Sequence, residues 1–265
     1  MKVINNSVLA MFVLLVMISC STGSQQQKCS SDGGSCCASG IPHGGEWIVM
    51  FDGNTLNGWR GYNRTDIPDG WAVQDGIITF NFQNIHAFGG NDLIYDRKFK
   101  NFIFEIEWKV GRGGNGGIFY TVRELEGLPI YYSSPEYQLL DNENMSNAWE
   151  GVGGNRQAGS LYDIIPPVPQ TVNPYDTWNK TRIVVYNKRV IHYLNDVQVL
   201  EFQFGTPVWK ALVDKSKFSI FSTDDEAIPG AYEYFINAGE EPAFIGLQGH
   251  RLGPLAFRNI RIKEL

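Results

Sequence analysis

A short strand-like segment, Pro135 to Asp141, carries polar residues where a buried strand would ordinarily carry Val or Ile. Because strand side chains alternate between two faces, Glu136, Gln138 and Leu140 are predicted to share one face. Asp141 closes the strand and can turn towards either face. Acidic residues are depleted in ordinary strands, so the pattern favours a functional site.

A second segment near the C-terminus, Phe244 to His250, shows the same arrangement. Gln248 and His250 are predicted to share a face, opposite Ile245 and Leu247. Two strands that each present acids, amides or an imidazole on one face indicate a sheet surface that binds a polar ligand. The alternative interpretation is that both faces are solvated outer surfaces of a sandwich.

The elements that must position these residues are almost all strands. Runs of alternating apolar residues follow one another, with turn residues such as Asp75-Gly76 between them. Helical periodicity is limited to one candidate helix, Val208 to Ser216. This pattern predicts an all-β fold, a jelly-roll sandwich of two antiparallel sheets.

The N-terminal sequence predicts export. Residues 1–20 read as a lipoprotein signal peptide, because a short apolar stretch ends at a lipobox-like Met17-Ile18-Ser19-Cys20. Cleavage there would leave Cys20 as a lipidated first residue, tethered to a membrane of the cell envelope, periplasmic or outer. Residues 21–45 form a linker of Ser, Gly, Gln and Cys, and residues 46–265 form one β-sandwich domain.

The composition of the chain limits the classes of molecule that it is expected to bind. The chain has 22 Lys and Arg against 28 Asp and Glu, a net charge of −6. This balance argues against nucleic acid and leaves a lipid anchor as the membrane contact. An aromatic content of 13% suits a protein that stacks on sugars. The best candidates for stacking lie in polar loop sequence: Trp149, Tyr131 and Tyr132.

Several motifs together resemble one family. Phe51 to Trp59 (FDGNTLNGW) is similar to the opening signature of the 3-keto-disaccharide hydrolase family. Further similar motifs follow in the same order: Trp71 to Gly76, Asn115 to Tyr120, Pro135 to Asp141, Gly159 to Asp163, Thr177 to Asn179, Val190 to Asn195, Ser216 to Phe218, Leu247 to His250 and Phe257 to Leu265.

The resemblance implies a concanavalin-like jelly roll that cleaves glycosides whose C3 hydroxyl has been oxidised to a ketone. It also implies an exported bacterial lipoprotein of the Bacteroidetes type, coupled in function to a sugar 3-oxidoreductase. The chain departs from the family pattern at four places: Gly116 replaces Ser, Thr121 replaces Arg, Asn173 replaces Lys and Gly249 replaces Asp.

A C3 ketone acidifies the C2 proton, so a base can form an enolate that expels the C1 oxygen. Water then adds to the product, giving net hydrolysis. His250 is the first candidate for the base, since an ordinary imidazole titrates near neutral pH. Glu136 is the second candidate, as base, acid or metal ligand. Asp141 would orient His250 or protonate the leaving oxygen.

Substrate binding is assigned to amides and one cation. Gln138, Gln248 and Asn115 would bind hydroxyl groups, and Arg123, on the same strand face as Thr121, would polarise the keto oxygen. A divalent cation held by Glu136, Asp141 and His250 is the alternative source of that polarisation, although the sequence shows no closed ligand set.

Two other functions remain open at the level of sequence. Glu136-x-Gln138-x-x-Asp141 resembles the Glu-x-Asp-x-x-Glu pattern of laminarinase-like enzymes, which would make the protein a conventional two-carboxylate glycosidase. A carbohydrate-binding module without catalysis is the other, because sandwiches of this type often bind sugars only.

Overall fold

A computed structural model describes residues 40–84, 90–222 and 231–265. Within these ranges the chain forms thirteen strands and three short α-helices. The strands are β1 Trp47–Val49, β2 Trp59–Gly61, β3 Trp71–Gln74, β4 Ile77–Phe80, β5 Leu93–Tyr95, β6 Phe102–Val110, β7 Asn115–Val122, β8 Glu136–Leu140, β9 Asn179–Tyr186, β10 Arg189–Leu194, β11 Val197–Gln203, β12 Phe244–Leu247 and β13 Leu255–Glu264. The helices are α1 Asn147–Glu150, α2 Pro207–Asp214 and α3 Ala231–Ile236.

The strands form two antiparallel sheets. The larger has eight strands in the order β11-β10-β9-β6-β13-β4-β3, with β1 paired to β13. The smaller has the order β2-β5-β12-β7-β8. Their facing sides bury one continuous apolar core, in which Trp108, Tyr120 and Tyr137 are among the largest fully buried side chains. The predicted all-β jelly-roll sandwich is confirmed.

Tight turns set the register of the larger sheet. Asp75 and Gly76 both have positive φ, as the predicted hairpin between β3 and β4 requires. Two turns with paired positive φ values, Asn187-Lys188 and Asn195-Asp196, join β9, β10 and β11. These three consecutive strands therefore form an antiparallel meander.

One helical region packs at the end of the larger sheet, where Trp209 contacts Phe202 of β11 and the following Phe204. The predicted helix at 208–216 is observed as α2, which starts after Thr206, whose hydroxyl accepts the N–H of Trp209 at 3.1 Å. A 3-10 turn follows at Lys217–Ser222. Trp209 and Phe218 both stack on Phe235 of α3. These contacts fix the position of Lys217, the first residue of the 3-10 turn.

No helix within the described ranges is both long and apolar enough to cross a bilayer. The predicted signal peptide, Cys20 and most of the linker lie outside the described residues.

Candidate active site

Strand pairing brings the predicted polar residues to one face of the smaller sheet. Gln138 of β8 lies opposite Gly117 of β7, and Glu136 lies opposite Phe119. The backbone N–H of Gln248 donates to the carbonyl of Gly117 at 2.9 Å. Directly opposite residues share a face in an antiparallel sheet, so three strands contribute to one surface.

This surface forms the floor of a cavity of about 270 Å³, here called the Glu136 cavity. Six of the residues predicted from the sequence to be catalytic, substrate-binding or sugar-stacking line it. The full lining is Asn115, Tyr131, Glu136, Gln138, Tyr162, Lys217, Phe218, Gln248 and His250.

Glu136 fits into the surface because Gly117 has no side chain. A Cβ at position 117 would lie 2.2 Å from Oε1 of Glu136 and 2.7 Å from its Cγ and Cδ. Glu136 is only 6% exposed, and no ion pair reaches it within the described residues.

Burial raises the pKa of Glu136 to about 8; nearby Lys217 opposes this rise, and Asp92 adds to it. At neutral pH the side chain is therefore a neutral carboxylic acid that can donate a proton. A carboxyl group in this state is the usual form of a general acid.

The amide of Gln138 orients this acid. It lies between the Asn115 amide, 3.2 Å away, and Glu136. Its hydrogen-bonding surroundings favour the orientation in which Nε2 donates to Glu136 Oε1 at 3.0 Å and to the Gly116 carbonyl at 3.1 Å. Glu136 Oε1 then accepts a hydrogen bond, which favours the proton on Oε2.

Lys217 is a cation at this cavity that the sequence reasoning did not select. Its backbone N–H donates to Asp163 at 2.7 Å, and its ammonium lies 4.1 Å from the centroid of the Tyr162 ring. Tyr162 in turn donates its backbone N–H to the Glu136 carbonyl at 2.9 Å. The only sequence signal for Lys217 was its place in a family-like motif.

His250 lines the cavity in a state that does not suit the predicted base. Burial lowers its pKa to about 4, and the adjacent Arg251 lowers it further. Its Nδ1 accepts the backbone N–H of Leu252 at 3.2 Å. The neutral ring therefore carries its proton on Nε2, which makes that nitrogen a hydrogen-bond donor.

A second cavity of about 660 Å³ adjoins the first, and we call it the Asp92 cavity. Tyr131, Gln248 and His250 line both cavities, so the two cavities adjoin at these residues. The other residues that line it are Tyr62, Asn63, Arg64, Phe82, Gly90, Asn91, Asp92, Gly127, Leu128, Pro129, Gly249 and Arg251.

Asp141 lines neither cavity, unlike Glu136 and His250, the other two residues expected to be catalytic. Its carboxylate accepts the backbone N–H groups of Gly113, Glu143 and Asn144, and the Asn144 side-chain amide. These four hydrogen bonds organise the turn that follows β8. Asp141 is therefore a turn-forming residue.

Three expected ligand-contacting residues also lie elsewhere. Arg123 lines a separate surface pocket and lies over the ring of Tyr234 at 5.5 Å, away from Glu136. Trp149 is 69% exposed and lines neither cavity. Tyr132 packs against the main core, while its neighbour Tyr131 provides the aromatic surface of both cavities.

Glu136, Asp141 and His250, the possible ligands of a divalent cation, are not arranged to bind one. Glu136 begins β8 and Asp141 follows its end, so their Cα atoms lie about 16 Å apart at the usual rise per residue. Within the described residues, no group of three His, Cys, Asp or Glu side chains is arranged to hold a metal ion.

Comparison with known proteins places this geometry in context. Residues 46–263 match a family described as the 3-keto-alpha-glucoside-1,2-lyase-like domain. A protein of Bacteroides thetaiotaomicron named 3-keto-disaccharide hydrolase is 45% identical over 233 residues, which cover 83% of this chain and 78% of that protein.

Solved structures from Parabacteroides distasonis are similar in fold. One, described as a candidate glycosyl hydrolase, is 27% identical with a TM-score of 0.68, covering 83% of this chain and 94% of its own. A second with the same description is 20% identical with a TM-score of 0.58, covering 83% of this chain and all of its own.

Proposed function

We propose that this chain, which belongs to the 3-keto-alpha-glucoside-1,2-lyase-like domain family and is a glycoside-cleaving hydrolase, acts on sugars with a ketone at C3. Cleavage would proceed by loss of the C2 proton and expulsion of the C1 oxygen, followed by addition of water. The name of the Bacteroides relative supports this substrate class.

The observation that carries the proposal is the pairing of a neutral carboxylic acid with a cation in one small polar cavity. Glu136 is buried and forms no ion pair with any described residue, and Lys217 lines the same cavity. Elimination from a 3-keto sugar needs a proton donor for the leaving oxygen and positive charge beside the keto oxygen. These two side chains supply both.

Six polar residues that line the cavity have roles in this reaction. Lys217 polarises the C3 oxygen and stabilises the enolate, and Glu136 protonates the departing C1 oxygen. The amides of Asn115, Gln138 and Gln248 bind hydroxyl groups, with Gln138 also holding Glu136 in place. His250 donates a hydrogen bond from Nε2, because its Nδ1 is already occupied.

A conventional two-carboxylate mechanism is less well supported. Glycosidases place their two carboxyl groups between about 5 and 9.5 Å apart. Asp141, the second carboxylate of the sequence pattern, lines neither of the two cavities, whereas Glu136 lines one of them. Asp141 is also held by four hydrogen bonds in its own turn.

The deciding experiment offers the purified protein a 3-keto glucoside and the matching unoxidised glucoside, with sugar release as the measurement. Cleavage of the keto substrate alone is the expected result. Cleavage of the plain glucoside would favour the two-carboxylate mechanism, and binding of either sugar without cleavage would favour a binding module.

Export and lipid anchoring at Cys20 complete the proposal. The support is the apolar segment and lipobox-like sequence at residues 8–20. Incorporation of a labelled fatty acid that is lost in Cys20→Ala is the expected result, and unchanged labelling would contradict it. We also propose that a sugar 3-oxidoreductase supplies the ketone, since the reaction consumes an oxidised sugar.

A further inference from the structure

Asp92 is a carboxylate with no cation partner in the part of the chain that the structure describes. It directly precedes β5 and lines the Asp92 cavity. Its Oδ1 accepts the backbone N–H of Gly249 at 3.0 Å, and no described donor contacts its Oδ2. The nearby Arg64 is paired with Asp66 instead. A half-buried carboxylate without a cation partner is unfavourable for stability, so a chemical role is the better account of it.

Long-range strand pairing places this carboxylate beside the residues of the Glu136 cavity. In the pairing of β5 with β12, Leu93 lies opposite Leu247. Asp92 therefore lies next to the segment that carries Gln248 and His250. Gly249 permits the close approach, because a Cβ there would lie 2.4 Å from the backbone oxygen of Asn91.

The two carboxyl groups are in different protonation states. Burial raises the pKa of Asp92 to about 6, and the Gly249 N–H opposes the rise. Asp92 is thus mostly ionised at neutral pH, whereas Glu136 is protonated. Two carboxyl groups whose surroundings separate their pKa values in this way form an acid and base pair.

We propose that Asp92 is the base that removes the C2 proton of the 3-keto sugar, which would bind between Asp92 and Glu136 where the two cavities adjoin. The inference rests on the proposed function. It assigns to Asp92 the role of base, for which His250 is poorly suited. The sugar would bind with its C2 proton towards Asp92, its C3 oxygen at Lys217 and its C1 oxygen at Glu136.

The steps balance in protons and electrons. The C2–H bond breaks, the proton moves to the Asp92 carboxylate, and the electron pair forms the C2=C3 enolate. The enolate reforms the C3 ketone, a C1=C2 double bond forms, and the C1–O bond breaks as Glu136 gives its proton to the departing oxygen. In the second half, water adds its oxygen to C1 while Glu136 regains a proton from it, and Asp92 returns its proton to C2.

A substrate analogue without a leaving group isolates the step assigned to Asp92. The 3-keto sugar with hydrogen in place of the C1 oxygen substituent cannot eliminate, but its C2 proton can exchange with deuterium from D₂O. Exchange is followed by proton NMR for the wild type, Asp92→Asn, Glu136→Gln and Asp96→Asn. Asparagine can still accept the Gly249 N–H, so Asp92→Asn keeps the structural contact. Asp96 is an exposed carboxylate paired with Arg60 and serves as the matched control.

We expect Asp92→Asn to lower enzymatic exchange by about 10²–10⁴-fold, the usual contribution of a general base, while binding of the analogue stays within a few-fold. Glu136→Gln should lose cleavage of a full substrate and keep exchange within about tenfold. Asp96→Asn should match the wild type.

Two results would overturn the inference, and they are distinguishable. Normal exchange by a folded Asp92→Asn, in a wild type that cleaves 3-keto glucosides, would refute the role of Asp92 alone. A wild type that neither cleaves 3-keto glucosides nor exchanges the analogue would refute the proposed function, and the role of Asp92 with it.

Discussion

Glu105 on the larger sheet and Glu136 on the smaller one are equally buried glutamates with opposite chemistry. Both lie within strands, and they are 5% and 6% exposed. Glu105 of β6 lies between Arg182 of β9 and Arg261 of β13, which donate to it at 2.7 and 2.6 Å. Glu136 has no such partner among the described residues.

The pKa values reflect the partners as well as the burial. Burial raises the pKa of Glu105, but hydrogen bonds from Arg261 and Arg182 outweigh it, so the pKa lies below its usual range. Burial also raises the pKa of Glu136, where Lys217 opposes it only in part, leaving a pKa of about 8. A buried glutamate on a strand is thus structural or chemical according to the cations beside it.

The contrast is tested most strongly by Glu136→Gln. We expect a 10²–10⁴-fold loss of kcat on a 3-keto glucoside with a sugar leaving group, because the leaving oxygen loses its proton donor. Loss of activity on a substrate with an activated phenol leaving group should be much smaller. Steady-state kinetics on both substrates measure this, and equal losses on both would argue against an acid role.

Gly117→Ala tests whether the space beside Glu136 is needed. The new Cβ would lie 2.2 Å from Oε1, so the carboxyl group must move by more than 1 Å. Misplacement on this scale costs about 10²-fold in kcat. Gly45→Ala is the control, since its Cβ would meet only the Glu264 carbonyl at 3.9 Å. Unchanged kcat in Gly117→Ala would show that the position of the carboxyl group is not critical.

Glu105→Gln should show the opposite behaviour, with stability lost and kcat unchanged. Removing the charge between two arginines should lower the free energy of unfolding by about 1–3 kcal/mol at pH 7. A carboxyl group whose pKa is lowered by folding stabilises the folded protein at pH values above its pKa in the unfolded chain. The difference in unfolding free energy between the wild type and Glu105→Gln should therefore shrink as pH falls below about 4. Urea unfolding at pH 7 and pH 3.5 checks this, and an undiminished difference in acid would contradict it.

The pH dependence of kcat/KM sharpens the comparison further. We expect a bell shape, falling about tenfold per pH unit below about pH 6 as Asp92 gains a proton and above about pH 8 as Glu136 loses one. In Glu136→Gln the alkaline limb should disappear from the residual activity. An alkaline limb that persists in this variant would assign it to another group.

The smallest effect is expected at Trp149. Its side chain is 69% exposed and lies outside both cavities, so Trp149→Ala should change kcat/KM by less than about twofold. A tenfold rise in KM would instead show that the tryptophan stacks on the substrate.

Local sequence patterns were enough to predict the sheets and half of the site. Side-chain alternation placed Glu136 with Gln138, and Gln248 with His250, because both depend only on strand geometry. Turn residues such as Asp75-Gly76 likewise act locally. Alternation along Phe102–Val110 also puts Glu105 on the polar face of its strand, but this pattern contains no information about the two arginines that neutralise it.

The remaining site residues depend on contacts between distant segments. Asp92 reaches the site through the pairing of β5 with β12, and Lys217 through the packing of α2 on α3. Neither contact produces a periodic pattern in the sequence around Asp92 or Lys217. Asp141 was placed in the site because a strand end can turn either way, and its hydrogen bonds to Gly113 and Asn144 decide the direction.

The strand order also has a consequence for the timing of activity during synthesis. The last two strands of the chain, β12 and β13, lie in the interior of the two sheets, β12 between β5 and β7 and β13 between β6 and β4. Neither sheet can be completed before β12 and β13 have been synthesised, and such long-range pairings are slow to form. The segment that follows β12 carries Gln248 and His250, which line both cavities, so a growing chain without β12 has no assembled site. The proposed chemistry can begin only after β12 and β13 have paired with their neighbouring strands.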